Sequence, residues 1–578
     1  MTESVAHLAL TFIQADGRSG CSSPDDRAHN GRNYERERHI NDNAGISRLL
    51  DELLAQIFFI LRDTAVAESD DDPKVLWDSW VPVTHVCHRW RGIALSYPLL
   101  WNYIDARRQD ATVAFLARSG TALLAIKSEE DSRGVRPIPL SLILAHLPRT
   151  RSLTVTLNTD SSVSDWASAD LLAPQLQRLD IRFEDRHRIP FAEHPFRLGD
   201  MPALRYLSVY GGIWLWMASP LPTTLQELRL TQCPMWHDAT LGALALTAIG
   251  SLPNLRYLIL VKSDIWDIDR DAMDRMDEMD NLPDITLPNL RTFTWQGPSF
   301  MGLHLLNHIS LPSSCKLNIA LGIALPAFVR ADQIAVLSNS AIITRDPPVT
   351  AVALSFSRPY QFDIRLWKTN PSQNLPLPTT SADIQVEYYD QQYVHSLNKE
   401  LGWRDMICDL VGDFLLPEVQ TLQISHIHHY AQDLDFRNVL QHARNIERIL
   451  VEDWNIRGIP RIIPTCLAAP HSDELFLPNL RELVLEDVCF PLLPATHQDV
   501  QHVADFLDRL KGRRERGAGI ARLVLRKCWN LTPSLVDSMR AEVDTLEWDC
   551  VTMTSPFSEK KDEIVDYFSE PASEGVEQ

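Results

Sequence analysis

The stretch "LQELRLTQC", residues 225–233, does not stand alone. It recurs as "LRYLILVKS" at 255–263, "LRELVLEDV" at 480–488 and "IARLVLRKC" at 520–528. Each copy places apolar residues at positions 1, 4 and 6, and two of them end on a cysteine at position 9, Cys233 and Cys528. Looser copies are "SLTVTL" (152–157), "LQRLDIRF" (176–183), "LRYLSVYG" (204–211), "LRTFTWQG" (290–297), "VQTLQISH" (419–426) and "IERILVED" (446–453). Many follow a Leu-Pro or Leu-Pro-Asn step. Side chains alternate along a strand, so positions 4 and 6 point to one side and positions 3, 5 and 7 to the other. One copy cannot bury its own leucines. Neighbouring copies must therefore stack, which makes a parallel sheet with a shared leucine core.

The same alternation assigns an outward row. It holds Tyr206, Ser208 and Tyr210, then Glu227, Arg229 and Thr231, then Tyr257, Ile259 and Val261. Toward the C-terminus follow Glu482, Val484 and Glu486, then Arg522, Val524 and Arg526. Tyrosines and aliphatic residues standing among charges are the composition of a protein-binding patch. The candidate substrate-binding residues are Tyr206, Tyr210, Arg229, Tyr257, Glu486 and Arg526. Between residues 318 and 418 the phrase blurs. "VTAVALSFS", "QFDIRLWKT" and "DIQVEYYD" read as strands without a register. The expectation is that the array runs on through them with long loops; an inserted hairpin is the alternative.

The chain has 578 residues, too many for one compact globule, which points to several domains or an elongated array. Its net charge of −21 disfavours nucleic acid or an anionic membrane as partner and favours proteins, basic ones at long range. The N-terminus "MTESVAHLAL" makes a poor signal peptide, and no apolar run is long enough to span a membrane. Nine cysteines without a C-x-x-C pair indicate a reducing intracellular setting, cytoplasmic or nuclear, without disulfides or structural zinc. Residues 1–43 and 557–578 carry the composition of disordered segments.

Residues 44–106 have a different character. "ISRLLDELLAQIFFIL" (46–61) reads as a helix with Ser47 as N-cap and Asp51 and Glu52 in its first turn. Its apolar residues form two stripes: Leu50, Leu54, Ile57 and Leu61, and Leu49, Leu53 and Ile60. An acidic loop follows. "VTHVCHRWRGIALSYPLLW" (83–101) then repeats the helical spacing through Val83, Val86, Cys87, Trp90 and Ile93. A unit this short carries more apolar surface than it can bury, so the rest of the chain or another protein must cover the excess.

This segment resembles the F-box, particularly as it occurs in fungal F-box proteins. There the motif runs Leu-Pro-x-Glu-Leu-Leu-x-x-Ile-Phe, then Val-x-x-Val-Cys-x-x-Trp-Arg-x-Ile-Ala, then Pro-x-Leu-Trp. The matching positions are Leu49, Glu52, Leu53, Leu54, Ile57 and Phe58; Val83, Val86, Cys87, Trp90, Arg91, Ile93 and Ala94; and Pro98, Leu100 and Trp101. Leu50 stands where the family has proline, and the loop between the helices is longer. The recurring phrase in turn resembles the leucine-rich repeat. Together these imply an α/β protein. A short helical F-box at 44–106 would precede an irregular leucine-rich solenoid at 111–556, with a parallel sheet on its concave face. They imply the substrate adaptor of a Skp–cullin–F-box ubiquitin ligase, without cofactor. Its adaptor-binding residues would be Leu49, Leu53, Leu54, Ile57, Phe58, Val83, Val86, Trp90, Leu100 and Trp101. The alternative is a leucine-rich scaffold without a ligase role, whose helical segment only caps the solenoid.

Catalytic signatures are absent from the sequence: there is no phosphate-binding loop, dinucleotide fingerprint, zinc-protease helix or nucleophile elbow. "DIDRDAMDRMDE" (267–278) places Asp267, Asp269, Asp271 and Glu278 at calcium-loop spacing, but Ala272 occupies the position that needs glycine. A solvated acidic loop explains it better than a metal enzyme does. "SHIHHY" (425–430) clusters His426, His428 and His429 without completing a zinc site. "KGRRERG" (511–517) reads as a basic helix end stopped by glycine. The expected roles of Cys233 and Cys528 at position 9 are packing roles.

Overall fold

The fold is seen in a computed structural model. It describes residues 45–68, 79–107, 109–128, 139–157, 172–183, 201–211, 220–233, 239–261, 282–323, 348–358, 361–368, 382–390, 418–426, 443–452, 476–490 and 497–550, with Trp166, Leu377, Leu440 and Leu467 between them. The chain divides into two compact units, 1–234 and 235–578. Both are mixed α/β, with parallel strands predominating. Among the described residues no helix is long and apolar enough to cross a membrane.

The first unit opens with a 3-10 turn, Gly45–Arg48, and helix α1 (Asp51–Glu68). The helix begins later than its apolar spacing suggested. Ser47 lies in the preceding turn, and the Leu50 carbonyl accepts the first helical hydrogen bonds, from the amides of Leu53 and Leu54 (both 3.1 Å). Helices α2 (Val83–Val86) and α3 (His88–Ser96) are separated by extended Cys87. A 3-10 turn, Pro98–Trp101, leads into β1 (Tyr103–Asp105) and α4 (Gln109–Arg118). Then come β2 (Leu124–Ser128), α5 (Leu140–Leu144), β3 (Thr150–Leu157), β4 (Arg178–Phe183), β5 (Tyr206–Tyr210) and β6 (Glu227–Thr231).

These six strands pair in chain order, all parallel. Leu153, Leu179, Leu207 and Leu228 fall side by side, as do Val155, Ile181, Val209 and Leu230, and all are buried. The two leucine positions of the phrase thus form continuous core rows.

In the second unit α6 (Ala239–Gly250) precedes β7 (Tyr257–Val261). A short pair, β8 (Ile285–Thr286) with β10 (Ile309–Ser310), flanks β9 (Thr292–Pro298) and α7 (Ser299–His308). Strand β11 (Lys316–Ile323) pairs with β9, which pairs with β7. The blurred region then departs from the expected run of parallel strands. Strands β12 (Ala351–Arg358), β13 (Gln361–Trp367) and β14 (Ile384–Asp390) form an antiparallel meander. They enter the sheet in reverse order: β14 lies beside β11, and β12 lies beside β15 (Thr421–Ser425). The inserted-hairpin alternative is therefore the better description, extended by one strand. Parallel pairing resumes through β16 (Arg448–Glu452), β17 (Glu482–Glu486), β18 (Arg522–Arg526) and β19 (Thr545–Trp548), with α8 (His497–Glu515) and α9 (Pro533–Arg540) between the last strands.

Three devices recur around the described strand ends. In five copies position 8 is left-handed: Gly211, Gln232, His426, Asp487 and Lys527 have φ between 50° and 73°, whereas Phe183 and Gly297 continue their strands. Only Gly211 takes that conformation without steric cost. At position 9 the buried thiols of Cys233 and Cys528 face carbonyls of the preceding strand's chain, Gly211 O at 3.5 Å and Leu485 O at 3.4 Å. The asparagine of the Leu-Pro-Asn step reaches back one copy. Asn289 donates to the Pro253 carbonyl (2.8 Å) and Asn479 to the Arg444 carbonyl (2.9 Å).

Candidate docking and recognition surfaces

The helical segment packs around aromatic rings. Phe58 meets Trp90 with centroids 5.3 Å apart, and Trp101 packs edge-on against Trp80 (5.2 Å) and Phe115 of α4 (4.8 Å). The Trp101 indole donates to the Ala94 carbonyl (2.8 Å). Arg89 pins the start of α1: its guanidinium donates to the carbonyls of Ser47 and Leu49 (both 2.6 Å) and to the Asp51 carboxylate. That clamp holds the helix start where Leu50 provides none of the φ restriction of a proline.

This packing sorts the ten sequence-derived docking residues. Leu54, Phe58, Val83, Trp90, Leu100 and Trp101 are buried within this chain and shape the segment from inside. Leu49 and Ile57 are half-buried, and only Leu53 and Val86 are exposed. Helical spacing did not separate an outward stripe from an inward one because both are apolar. The structure does: Leu54, Phe58, Leu61 and Ala65 face in, while Leu50, Leu53, Ile57 and Ile60 follow one another along the other side. Leu95 and Leu99 are exposed on α3 and the turn after it. A solvent-facing set of Leu50, Leu53, Ile60, Val86, Leu95 and Leu99 in so short a segment is more than scattered surface apolarity. Sequence reading missed Leu50, Ile60, Leu95 and Leu99 as surface residues. The signal lay in the spacing of Leu53, Ile57 and Ile60 once Phe58 was assigned to the core.

The outward strand faces differ between β4–β6 and β16–β18. In the first unit, β4–β6 present Arg178, Asp180, Tyr206, Ser208, Tyr210, Glu227 and Arg229, and none of these is buried. The Arg178 guanidinium lies 3.8 Å over the Tyr206 ring and pairs with Asp180 (3.0 Å). Burial, reinforced by the Asp180 charge, pushes the Tyr206 phenol above its ordinary pKa. The Tyr210 hydroxyl donates to Gln232 (2.8 Å). In the second unit, Tyr257 on β7 is exposed. Further on, the outward position 5 carries Leu450, Val484 and Val524, which are buried and form a cluster of their own. Leu377 packs on the outward residues Ala351, Ala353 and Trp367, and its amide donates to Gln423 (2.9 Å). Charges flank the cluster as a ladder. Glu482 accepts from Arg448 (2.7 Å) and Arg522 (2.6 Å), and Arg522 also binds Glu547 (2.9 Å).

The candidate Glu486 is therefore engaged by Lys527 (3.0 Å), and Arg526, also half-buried, borders the closed cluster. Val484 and Val524, expected in the exposed row, are core residues instead. The Asp267–Glu278 stretch, His428 and His429 lie outside the described residues. Among the described residues, no group of His, Cys, Asp or Glu could hold a metal. Burial pushes the thiols of Cys233 and Cys528 up to about 12, which suits packing and not nucleophilic chemistry. No protein-family model matches this chain, and no curated protein matches it.

Proposed function

We propose that this chain is a non-enzymatic substrate adaptor. Residues 44–106 act as an F-box that docks a Skp-type adaptor of a cullin-based ubiquitin ligase, and a leucine-rich solenoid holds a protein substrate. The transfer chemistry belongs to other subunits; this chain contributes positioning, which raises the effective concentration of substrate at the ligase. The observation that carries the reading is the exposed apolar set Leu50, Leu53, Ile60, Val86, Leu95 and Leu99. A partner that covers it removes water from leucines the chain leaves uncovered.

The second reading, a scaffold with a helical cap, draws on a specific contact. The segment runs directly into β1, which pairs with β2. A cap, however, has no use for outward leucines. Co-expression with an Skp-type adaptor and gel filtration separates the two. Co-elution of the wild-type chain, lost in Leu53→Asp and Leu99→Asp with the melting temperature retained, supports docking. Absence of any complex with the folded wild-type chain leaves the cap.

A further inference from the structure

We propose that the outward face of β3–β6 recognises an extended, acidic protein segment. This rests on the reading of the strands as the substrate-holding part and names the class of substrate. The strand register lines the side chains up in rows. Arg151, Gln177, Arg205 and Gln226 run along the N-terminal rim, joined by the Arg151–Gln177 side-chain bond (2.9 Å) and by backbone bonds from strand to strand. The next row is Ser152, Arg178, Tyr206 and Glu227; the one after is Thr154, Asp180, Ser208 and Arg229.

In these rows the cations stand above the anions. Arg178 and Arg229 are 53% and 45% exposed, whereas Asp180 and Glu227, their partners, are 17% and 29% exposed. The rim arginines Arg151 and Arg205 are exposed as well. The recessed carboxylates hold the guanidiniums in place, and the charge presented to solvent is positive. The Arg178 guanidinium, stacked on the half-buried Tyr206 ring, adds a flat platform at the centre.

That local sign is opposite to the chain's net charge of −21. Screening decides which sign a ligand meets. At physiological salt, interactions fade beyond ~8 Å, so a short acidic segment seated on the rows meets the arginines Arg151, Arg178, Arg205 and Arg229 and the recessed Asp180 and Glu227 rather than the charge of the whole chain. A long polyanion would extend over the rest of an acidic protein and be repelled. The fit is to a carboxylate-bearing peptide with an apolar or aromatic residue for the Arg178–Tyr206 platform.

The test is selection of a random dodecamer display library on the intact chain. The expected outcome is enrichment of Asp- and Glu-rich peptides, with binding weakened at least tenfold by raised salt. Arg178→Ala with Arg229→Glu should abolish the enrichment. A second variant, Arg151→Glu with Arg205→Glu, alters only exposed rim residues and guards against misfolding. Adaptor co-elution is measured on the same preparations, so that failure of docking and failure of this face are told apart. A selected pool without acidic bias, or one that both variants retain, overturns the proposal. So does a mixed-sequence single-stranded oligonucleotide that binds with the same arginine dependence, since the site would then read nucleic acid.

Discussion

The same repeat position leads two lives in this molecule. Position 5 is Asp180, Ser208 and Arg229 in the first unit, where it meets solvent on an open strand face. On β16–β18 of the second it is Leu450, Val484 and Val524, a buried cluster between charge ladders, although β7 and β9 of that unit still alternate. The inward positions 4 and 6 are alike in both: Leu207, Leu228, Leu483 and Leu523 are all buried. Half of the phrase therefore builds the scaffold, and the other half decides what the scaffold shows. A strand open on one side alternates, as in "YLSVY"; a strand covered on both reads as an apolar run, as in "ELVLE".

Placing the same charge at the two sites tests this contrast most severely. Val484→Asp buries a carboxylate among Leu450 and Val524 and is expected to cost several kcal/mol, enough to unfold the second unit in a melting experiment. Ser208→Asp should change stability by no more than ~0.5 kcal/mol, because its side chain reaches water. Equal effects would erase the distinction. Leu228→Ala and Leu483→Ala come next. Both empty a packed inward site, so denaturant titration should give ~2–5 kcal/mol for each.

Smaller effects probe the charges. Glu482→Gln weakens two charge-assisted bonds at once, to Arg448 and Arg522, with an expected loss of ~1–3 kcal/mol. A double-mutant cycle with Arg448 should show coupling; additivity would mean that the ladder is decorative. The slightest effect is a pH dependence. Burial pushes the Glu452 carboxyl above its ordinary range, opposed by His426 and reinforced by Glu486 and Asp487. The folded chain thus keeps a proton that the unfolded chain gives up. This group's contribution is present at low pH and is lost as pH rises through the raised value. Glu452→Gln should match wild type below that window and exceed it in stability above. The reverse order would contradict the burial cause.

The leucine core was legible in the sequence because its period of two survives uneven spacing between copies. The order of β12–β14 was not. Strands covered on both faces, such as "AVALSFSR", carry no alternation to fix a register or a direction. The helical segment was legible as a unit but not as a surface. Trp90 and Trp101 look like anchors for a partner, yet they are consumed by Phe58, Trp80 and Phe115 within the chain. Leu95 and Leu99, which look unremarkable, are the ones left outside. Net charge and local charge also diverge: −21 suggests a basic partner at long range, while the open strand face presents arginines over recessed acids. The exposed residues of "RLDIRF" and "YLSVY" contained that information, but which carboxylates are recessed is a matter of tertiary packing.

The most direct measurement is hydrogen–deuterium exchange of the full chain with and without an Skp-type adaptor. Docking on the helical face predicts slowed exchange along α1 and through Leu95–Leu99, with β4–β6 and β15–β18 unchanged. Protection confined to the strands, or none anywhere at saturating adaptor, would contradict the assignment of Leu50, Leu53, Ile60, Val86, Leu95 and Leu99 as the docking surface.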